Sequence, residues 1–133
     1  MNQHPKFILC VDDDSDDLFL LEEAIRAVDA KLQIVQLTNG AAALNYLSEA
    51  KEDKALPCVV VMDINMPVMN GRETVTRIKS DPTLAHVPVI VLTTSSAKSD
   101  VDYFKAMDVM MYTKPMNNRE LKQVAEIFVE HCK

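Results

Sequence analysis

The sequence predicts an α/β fold, a parallel sheet with helices on both faces, on three observations. Short apolar runs rich in β-branched residues recur along the chain, as in Val59-Val60-Val61-Met62, and read as strands buried on both faces. Between them lie stretches whose apolar residues recur at helical spacing, such as Leu18, Leu21, Ile25 and Val28. The two patterns alternate five times, and strands separated by helices pair in parallel through right-handed crossovers.

So short a run as residues 59–62 could also be buried helix, and the residues after it decide the matter. Asp63 ends the run, Pro67 biases the residue before it away from the helical region, and Asn70-Gly71 favours a turn. Asp63 therefore stands at the carboxyl end of a strand, beside a loop. Residues 7–11, Phe-Ile-Leu-Cys-Val, form the first strand and run into Asp12-Asp13-Asp14-Ser15-Asp16-Asp17. A helix starts near Ser15, capped by Asp14 or Ser15, with Asp16 and Asp17 favoured by the macrodipole in its first turn. Residues 33–37 make the second strand. Thr38-Asn39-Gly40 turns into a helix over 41–48 with Leu44 and Leu47 on one face, and residues 51–57 form a charged connection.

After Gly71, Val75 and Ile78 mark a third helix that ends at Ser80-Asp81-Pro82. Residues 87–92 are the fourth strand, closed by the hydroxyls of Thr93, Thr94, Ser95 and Ser96. Ser99 is placed to cap the next helix, with Val101 and Phe104 facing inward. Residues 110–113 are a weaker fifth strand closed by Lys114-Pro115. Asn117 with Glu120 resembles a capping box opening a last helix through Leu121, Val124 and Phe128. Five such strands give a flavodoxin-like doubly wound sheet of order 2-1-3-4-5, whose switch point lies between strands one and three.

At 133 residues the chain is one ordinary domain, and 48% hydrophobic with 26% charged residues is a globular composition. A net charge of −6 argues against direct binding to nucleic acid or to an anionic membrane, which need a basic face. No apolar stretch approaches the roughly 18 residues that span a bilayer, residues 1–5 do not form a signal peptide, and a cytoplasmic location is expected. Cys10, Cys58 and Cys132 are far apart and odd in number, so neither a zinc site nor a disulfide framework is expected. Cys10 and Cys58 lie in apolar runs and are expected as reduced core residues.

Ligands of open α/β sheets bind beyond the carboxyl ends of the strands, and there the fold gathers Asp12, Asp13, Asp63, Thr93 and Lys114. Alone, each has a plain reading: a solvated acidic loop, a turn threonine, a solvated lysine. Their coincidence at four strand ends carries the inference. Clustered carboxylates call for a cation, and oxygen ligands few in number suit Mg²⁺, which shares its shell with water and phosphate. A metal, a lysine and a hydroxyl around a carboxylate match the needs of phosphoryl transfer, with Asp63 as the nucleophile that becomes an aspartyl phosphate.

With these residues in place the chain resembles the receiver domain of two-component response regulators over nearly its whole length. The motifs are Val11-Asp12-Asp13, Met62-Asp63-Ile64-Asn65-Met66-Pro67 with Gly71, Leu92-Thr93-Thr94-Ser95, and Thr113-Lys114-Pro115. The resemblance implies that Asp63 takes a phosphoryl group from the phosphohistidine of a sensor histidine kinase or a histidine phosphotransfer protein. It implies that Asp13, Asp63 and the backbone carbonyl of Asn65 bind Mg²⁺, with Asp12 assisting through water, and that Thr93 and Lys114 contact the phosphoryl oxygens. A cis Lys114-Pro115 bond is implied as well. So is a phosphorylation-dependent surface of helix four, strand five and helix five, read by a downstream protein.

On this reading the protein is a phosphoacceptor that assists its own phosphorylation and dephosphorylation rather than an enzyme. It is a monomer or a phosphorylation-linked homodimer. Residues 1–133 form a single receiver domain with no output domain, similar to the stand-alone receivers paired with phytochrome-type kinases. The chain departs from the family pattern at Met107-Asp108, where many receivers have Gly-Ala, and at Met111, where they have an aromatic; Tyr112 comes one position late. The resemblance implies that Thr93 moves towards the phosphoryl group and vacates space for a side chain of the fifth strand; alternation puts 111 and 112 on opposite faces, so that side chain is expected to be Met111.

Two other readings share part of this pattern. A flavodoxin-type flavin carrier needs a hydroxyl- and glycine-rich phosphate cradle, where this chain has five aspartates in six positions that would repel FMN phosphate. A haloacid-dehalogenase-like phosphatase, another aspartyl-nucleophile protein, usually carries Asp-x-Asp on its first strand, whereas two positions after Asp63 stands Asn65.

Overall fold

Phe7, Leu9 and Val11 pack to one side of the central sheet and Ile8 and Cys10 to the other, and all five are buried. That continuous burial is the signature of a strand covered on both faces. The structure, a computed structural model, describes residues 5–133. In chain order the elements are β1 (Phe7–Val11), α1 (Ser15–Val28), β2 (Gln33–Leu37), α2 (Gly40–Glu52) and β3 (Val59–Met62). They continue with α3 (Gly71–Ser80), β4 (Val89–Thr93), α4 (Lys98–Ala106), β5 (Met110–Thr113) and α5 (Asn118–Glu130). The strands pair in parallel in the order β2-β1-β3-β4-β5, as the sequence predicts.

Two cores sandwich the sheet. One lies under α2, α3 and α4 and contains Leu47, Met62, Val75, Ile78 and Phe104. The other lies under α1 and α5 and contains Leu21, Ile25, Val61, Ala125 and Phe128. Met111 packs on the first core and Tyr112 on the second, which is the expected division of β5 between faces. Among the described residues no helix is long and apolar enough to cross a membrane. The expectation that residues 1–5 are not a signal peptide falls, except for Pro5, outside the described residues.

Five local expectations need correction. First, α2 runs on to Glu52 instead of stopping at Ser48, because Ala50 is still buried while Lys51 and Glu52 ride its outer side. The helix then closes through Lys54 at φ 56°, with the Ala55 amide on the Ala50 carbonyl at 2.8 Å. Second, α4 begins at Lys98, before Ser99, and Ala97 at its N-cap gives no side-chain bond. Third, Val101 is 42% exposed, so Phe104 is the buried anchor of that helix.

Fourth, no peptide bond among the described residues is cis, so Lys114-Pro115 takes the trans form that X-Pro bonds ordinarily prefer. Fifth, Cys58 is not a reduced core residue. It is joined to Cys132 in a disulfide, with Cα atoms 5.2 Å apart. The cause is topological. The strands are parallel and α5 runs back against them, so its end returns to the amino edge of the sheet, beside the residue that precedes β3. The Lys6 ammonium on the Cys132 carbonyl at 2.8 Å and the Cys58 amide on the Phe7 carbonyl at 3.0 Å fix the same corner. Cys10 is free and buried, as expected.

Candidate functional site

Side-chain alternation positions the site. Cys10, Val61 and Tyr112 face the α1 and α5 side, so Asp12, Asp63 and Lys114, each two residues further on, reach the carboxyl edge on that same side. Asp12 and Asp63 are buried. Asp13, one residue further along the loop, is exposed, yet its carboxylate joins the other two: one oxygen from each of Asp12, Asp13 and Asp63 lies within 4.8 Å of the others. Three hard oxygen donors at that separation are a fitting set for a small divalent cation.

Local bonds orient these carboxylates. Asp12 Oδ1 accepts the Asp14 amide at 2.9 Å, and Asp63 Oδ1 accepts the Ile64 amide at 2.8 Å. Asp14 is the N-cap of α1 and accepts the amides of Asp16 and Asp17. Asp12 and Asp13 belong to the carboxylate trio and Asp14 caps α1, while Asp17, in the first turn of the helix, turns its side chain to Lys114.

Lys114 reaches the cluster from the end of β5. Its Nζ lies 2.8 Å from Asp12 Oδ2, 2.7 Å from Asp17 Oδ2 and 3.6 Å from Asp63 Oδ2. Burial alone would pull the ammonium down, but the hydrogen bonds to Asp12 and Asp17 and the charges of Asp12 and Asp63 outweigh it and hold the pKa above the ordinary lysine value. Burial pushes Asp12 upward and the Asp63 charge adds to this, while Lys114 and the Asp14 amide offset part of the rise. Lys114 is therefore a fixed positive charge, and Asp12 a carboxylate that gains from a cation beside it.

Thr93 is present but turned differently. It ends β4 on the face of Val91 and Met111, and it is fully buried. Its hydroxyl accepts the Ser95 amide at 3.2 Å rather than engaging a carboxylate or the ammonium, and only its carbonyl, accepting the Lys114 amide at 2.9 Å, ties it to the lysine. Asn65 is exposed in the loop after Asp63. Asp17 is the residue that sequence reasoning missed, because the helix dipole alone suffices to explain an acid there. Its place four residues before the buried Leu21, on the inward flank of α1, was the available signal.

The β3–α3 loop holds its shape by close approach. Gly71 opens α3 directly behind Asp63, where a Cβ would collide with the Asp63 carbonyl, so glycine is required here for space and not for a positive φ. Asn70 caps the helix by accepting the Glu73 amide at 3.0 Å. Before it, Val68 is 84% exposed at φ 67°, a left-handed conformation rare for a β-branched residue.

Residues 8–126 match the family model of the response regulator receiver domain. The chain is 33% identical over 125 residues to the response regulator Rcp1 of Synechocystis, covering 92% of this chain and 85% of that protein. It is 31% identical over 131 residues to the probable methanogenesis regulatory protein FilR2 of Methanothrix harundinacea, covering 97% and 84%. Among solved structures, the phosphorylated cyanobacterial phytochrome response regulator RcpA is similar with a TM-score of 0.85 and 32% identity, over 96% of this chain and 93% of that one. The Mn²⁺-bound form of Rcp1 is similar with a TM-score of 0.80 and 31% identity, over 92% and 90%. These likenesses give no support to a flavin carrier or a phosphatase. Fold, strand-end acids, lysine and relatives agree: the chain belongs to the response regulator receiver domains, the phosphoacceptor signalling proteins that sensor histidine kinases phosphorylate.

Proposed function

We propose that Asp63 is the phosphoacceptor and that Asp13, Asp63 and the Asn65 backbone carbonyl hold Mg²⁺, with Asp12 joined through water. The observation that carries this reading is a buried strand-end carboxylate with a lysine ammonium 3.6 Å away and two further carboxylates in reach. A carboxylate oxygen of Asp63 bonds to phosphorus as the nitrogen–phosphorus bond of a phosphohistidine breaks, and the imidazole leaves with the electron pair. A cation held by these residues would supply charge neutralisation for the phosphoryl oxygens. The Ile64 amide holds the Asp63 carboxylate in orientation, Lys114 meets the developing charge, and Thr93 turns its hydroxyl to a phosphoryl oxygen.

The donor is a sensor histidine kinase or a histidine phosphotransfer protein in the cytoplasm, and a protein target reads the α4–β5–α5 surface. The net charge of −6 supports a protein partner over nucleic acid or an anionic membrane. The protein works as a monomer or as a phosphorylation-linked homodimer, and its own site assists both gain and loss of the phosphoryl group. Action without an attached output domain is part of the proposal, supported by the short lengths of Rcp1 and FilR2, which align over 85% and 84% of their own chains. The mass of the native protein from its source tests that point.

Intact-mass analysis after incubation with acetyl phosphate and Mg²⁺ tests the assignment itself. One added phosphoryl group is expected on the wild type and none on Asp63→Asn. Equal labelling of both would overturn the role of Asp63.

A further inference from the structure

We propose that Asp17 is a positioning residue for Lys114. It holds the ammonium beside Asp63, and so sets how well a phosphoryl group there is stabilised. The inference rests on the reading of Asp63 as phosphoacceptor.

A lysine ammonium has three N–H groups in compact geometry at the end of a flexible stem. One is donated to Asp17 Oδ2 at 2.7 Å, and Asp12 Oδ2 stands against the ammonium as an ion pair at 2.8 Å. Asp63 Oδ2 at 3.6 Å is beyond an ordinary hydrogen bond, so the ammonium stands beside the acceptor carboxylate without being bonded to it. The two anchors come from different elements, Asp12 from the end of β1 and Asp17 from the first turn of α1, and together they fix Nζ as neither would alone.

Asp17 has no competing duty in the described structure. The capping of α1 uses its backbone amide, which donates to Asp14 Oδ1 at 3.1 Å, and leaves its side chain to Lys114. It also stands outside the trio of carboxylates suited to a cation. A neighbouring acid provides the control: Asp16 carries the same charge in the same turn, is exposed, and makes no bond to Lys114.

The experiment compares wild type, Asp17→Asn and Asp16→Asn in the full chain, with beryllofluoride as the phosphoryl mimic at saturating Mg²⁺ and with Mg²⁺ alone. Asp17→Asn is expected to bind beryllofluoride about tenfold more weakly than Asp16→Asn, the scale of losing a group that orients a ligating side chain, while the two keep equal Mg²⁺ affinity. The ¹⁵N signal of the Lys114 ammonium gives a second readout. Its hydrogen exchange should be slow in wild type and Asp16→Asn and fast in Asp17→Asn. Equal beryllofluoride affinity in the two variants, or unchanged exchange in Asp17→Asn, would overturn the role of Asp17 alone. A wild type that binds no beryllofluoride would overturn the phosphoacceptor reading and this inference with it.

Discussion

Ser95 Oγ donates to Asp100 Oδ2 at 2.8 Å, and that bond ties the loop after Thr93 to the first turn of α4. The other oxygen of Asp100 lies 3.5 Å from Arg72 Nη1 at the start of α3. The same guanidinium stacks 4.1 Å from the Tyr103 ring centroid, and the Tyr103 hydroxyl meets Thr76 Oγ1. Loop, α3 and α4 are thus joined through one carboxylate that is 14% exposed. Asp100→Ala should cost about 1–3 kcal/mol, the range for hydrogen bonds to a charged group. Arg72→Ala should cost less, about 1 kcal/mol, because its pairing is half in solvent. Urea unfolding measures both, and a coupling near zero between Asp100→Ala and Ser95→Ala would show that the loop is not held through this bond.

The division between Asp13 and Asp14 gives two opposed outcomes. Asp13→Ala removes an oxygen from the carboxylate trio and should weaken Mg²⁺ binding at least about tenfold with little change in stability. Asp14→Ala removes the N-cap of α1 and should leave the metal affinity nearly unchanged while costing about 1 kcal/mol of stability. Titration calorimetry and urea unfolding on both variants check the pair.

The disulfide closes a long loop, since 74 positions separate Cys58 from Cys132. Reduction should therefore lower stability by about 2–4 kcal/mol, seen as a lower urea midpoint that a Cys58→Ser, Cys132→Ser double variant no longer shows on adding reductant. Thiol counting offers an independent check. The unfolded oxidised chain should alkylate at Cys10 alone, and the unfolded reduced chain at three cysteines.

Cys10 itself should be inert in the folded protein. Burial first, then the charges of Glu22 and Asp12, raises its thiol from the ordinary value of 9.0 to about 12. A folded pKa raised above the unfolded one stabilises the fold fully below the unfolded value and loses that contribution as pH climbs towards the folded one. Alkylation at pH about 8 should spare Cys10 until the chain unfolds, and stability should begin to fall above pH about 9. A native thiol that reacts at the rate of a free peptide would contradict this.

On β5, Met111 is paired with Val91 on the face that Thr93 also occupies, whereas Tyr112 is paired with Leu92 and packs with α1 and α5. If Thr93 turns to a phosphoryl oxygen, as the proposed function has it, Met111 is the side chain beside the space it leaves. Methionine fills such a space without two discrete positions, so a graded response is expected, with coupling of about 1–3 kcal/mol. Methyl NMR with beryllofluoride should shift Met111 and leave the Tyr112 ring in place, and the reverse would make Tyr112 the moving residue.

Most of what has a short period was legible in the amino-acid sequence, Val101 and the last turn of α2 excepted. Continuous apolar runs located the strands, residues such as Leu18, Leu21 and Ile25 set the inward face of a helix, and alternation of strands and helices fixed the sheet order. Because parallel strands end at one edge, the same local reading also put Asp12, Asp13, Asp63 and Lys114 together. Contacts between residues that no local period links came from the packing of the folded chain. The Cys58–Cys132 bond depends on how far α5 runs back along the sheet, and the Asp17–Lys114 pair depends on the angle at which α1 leaves β1. Thr93 shows the boundary between the two: alternation reads it to the end of β4, but its hydroxyl is turned to the Ser95 amide by a loop whose course Asp100 and Arg72 hold from other helices. A run of residues encodes its own periodicity, whereas the partner of a side chain 97 positions away is set by the packing of whole elements.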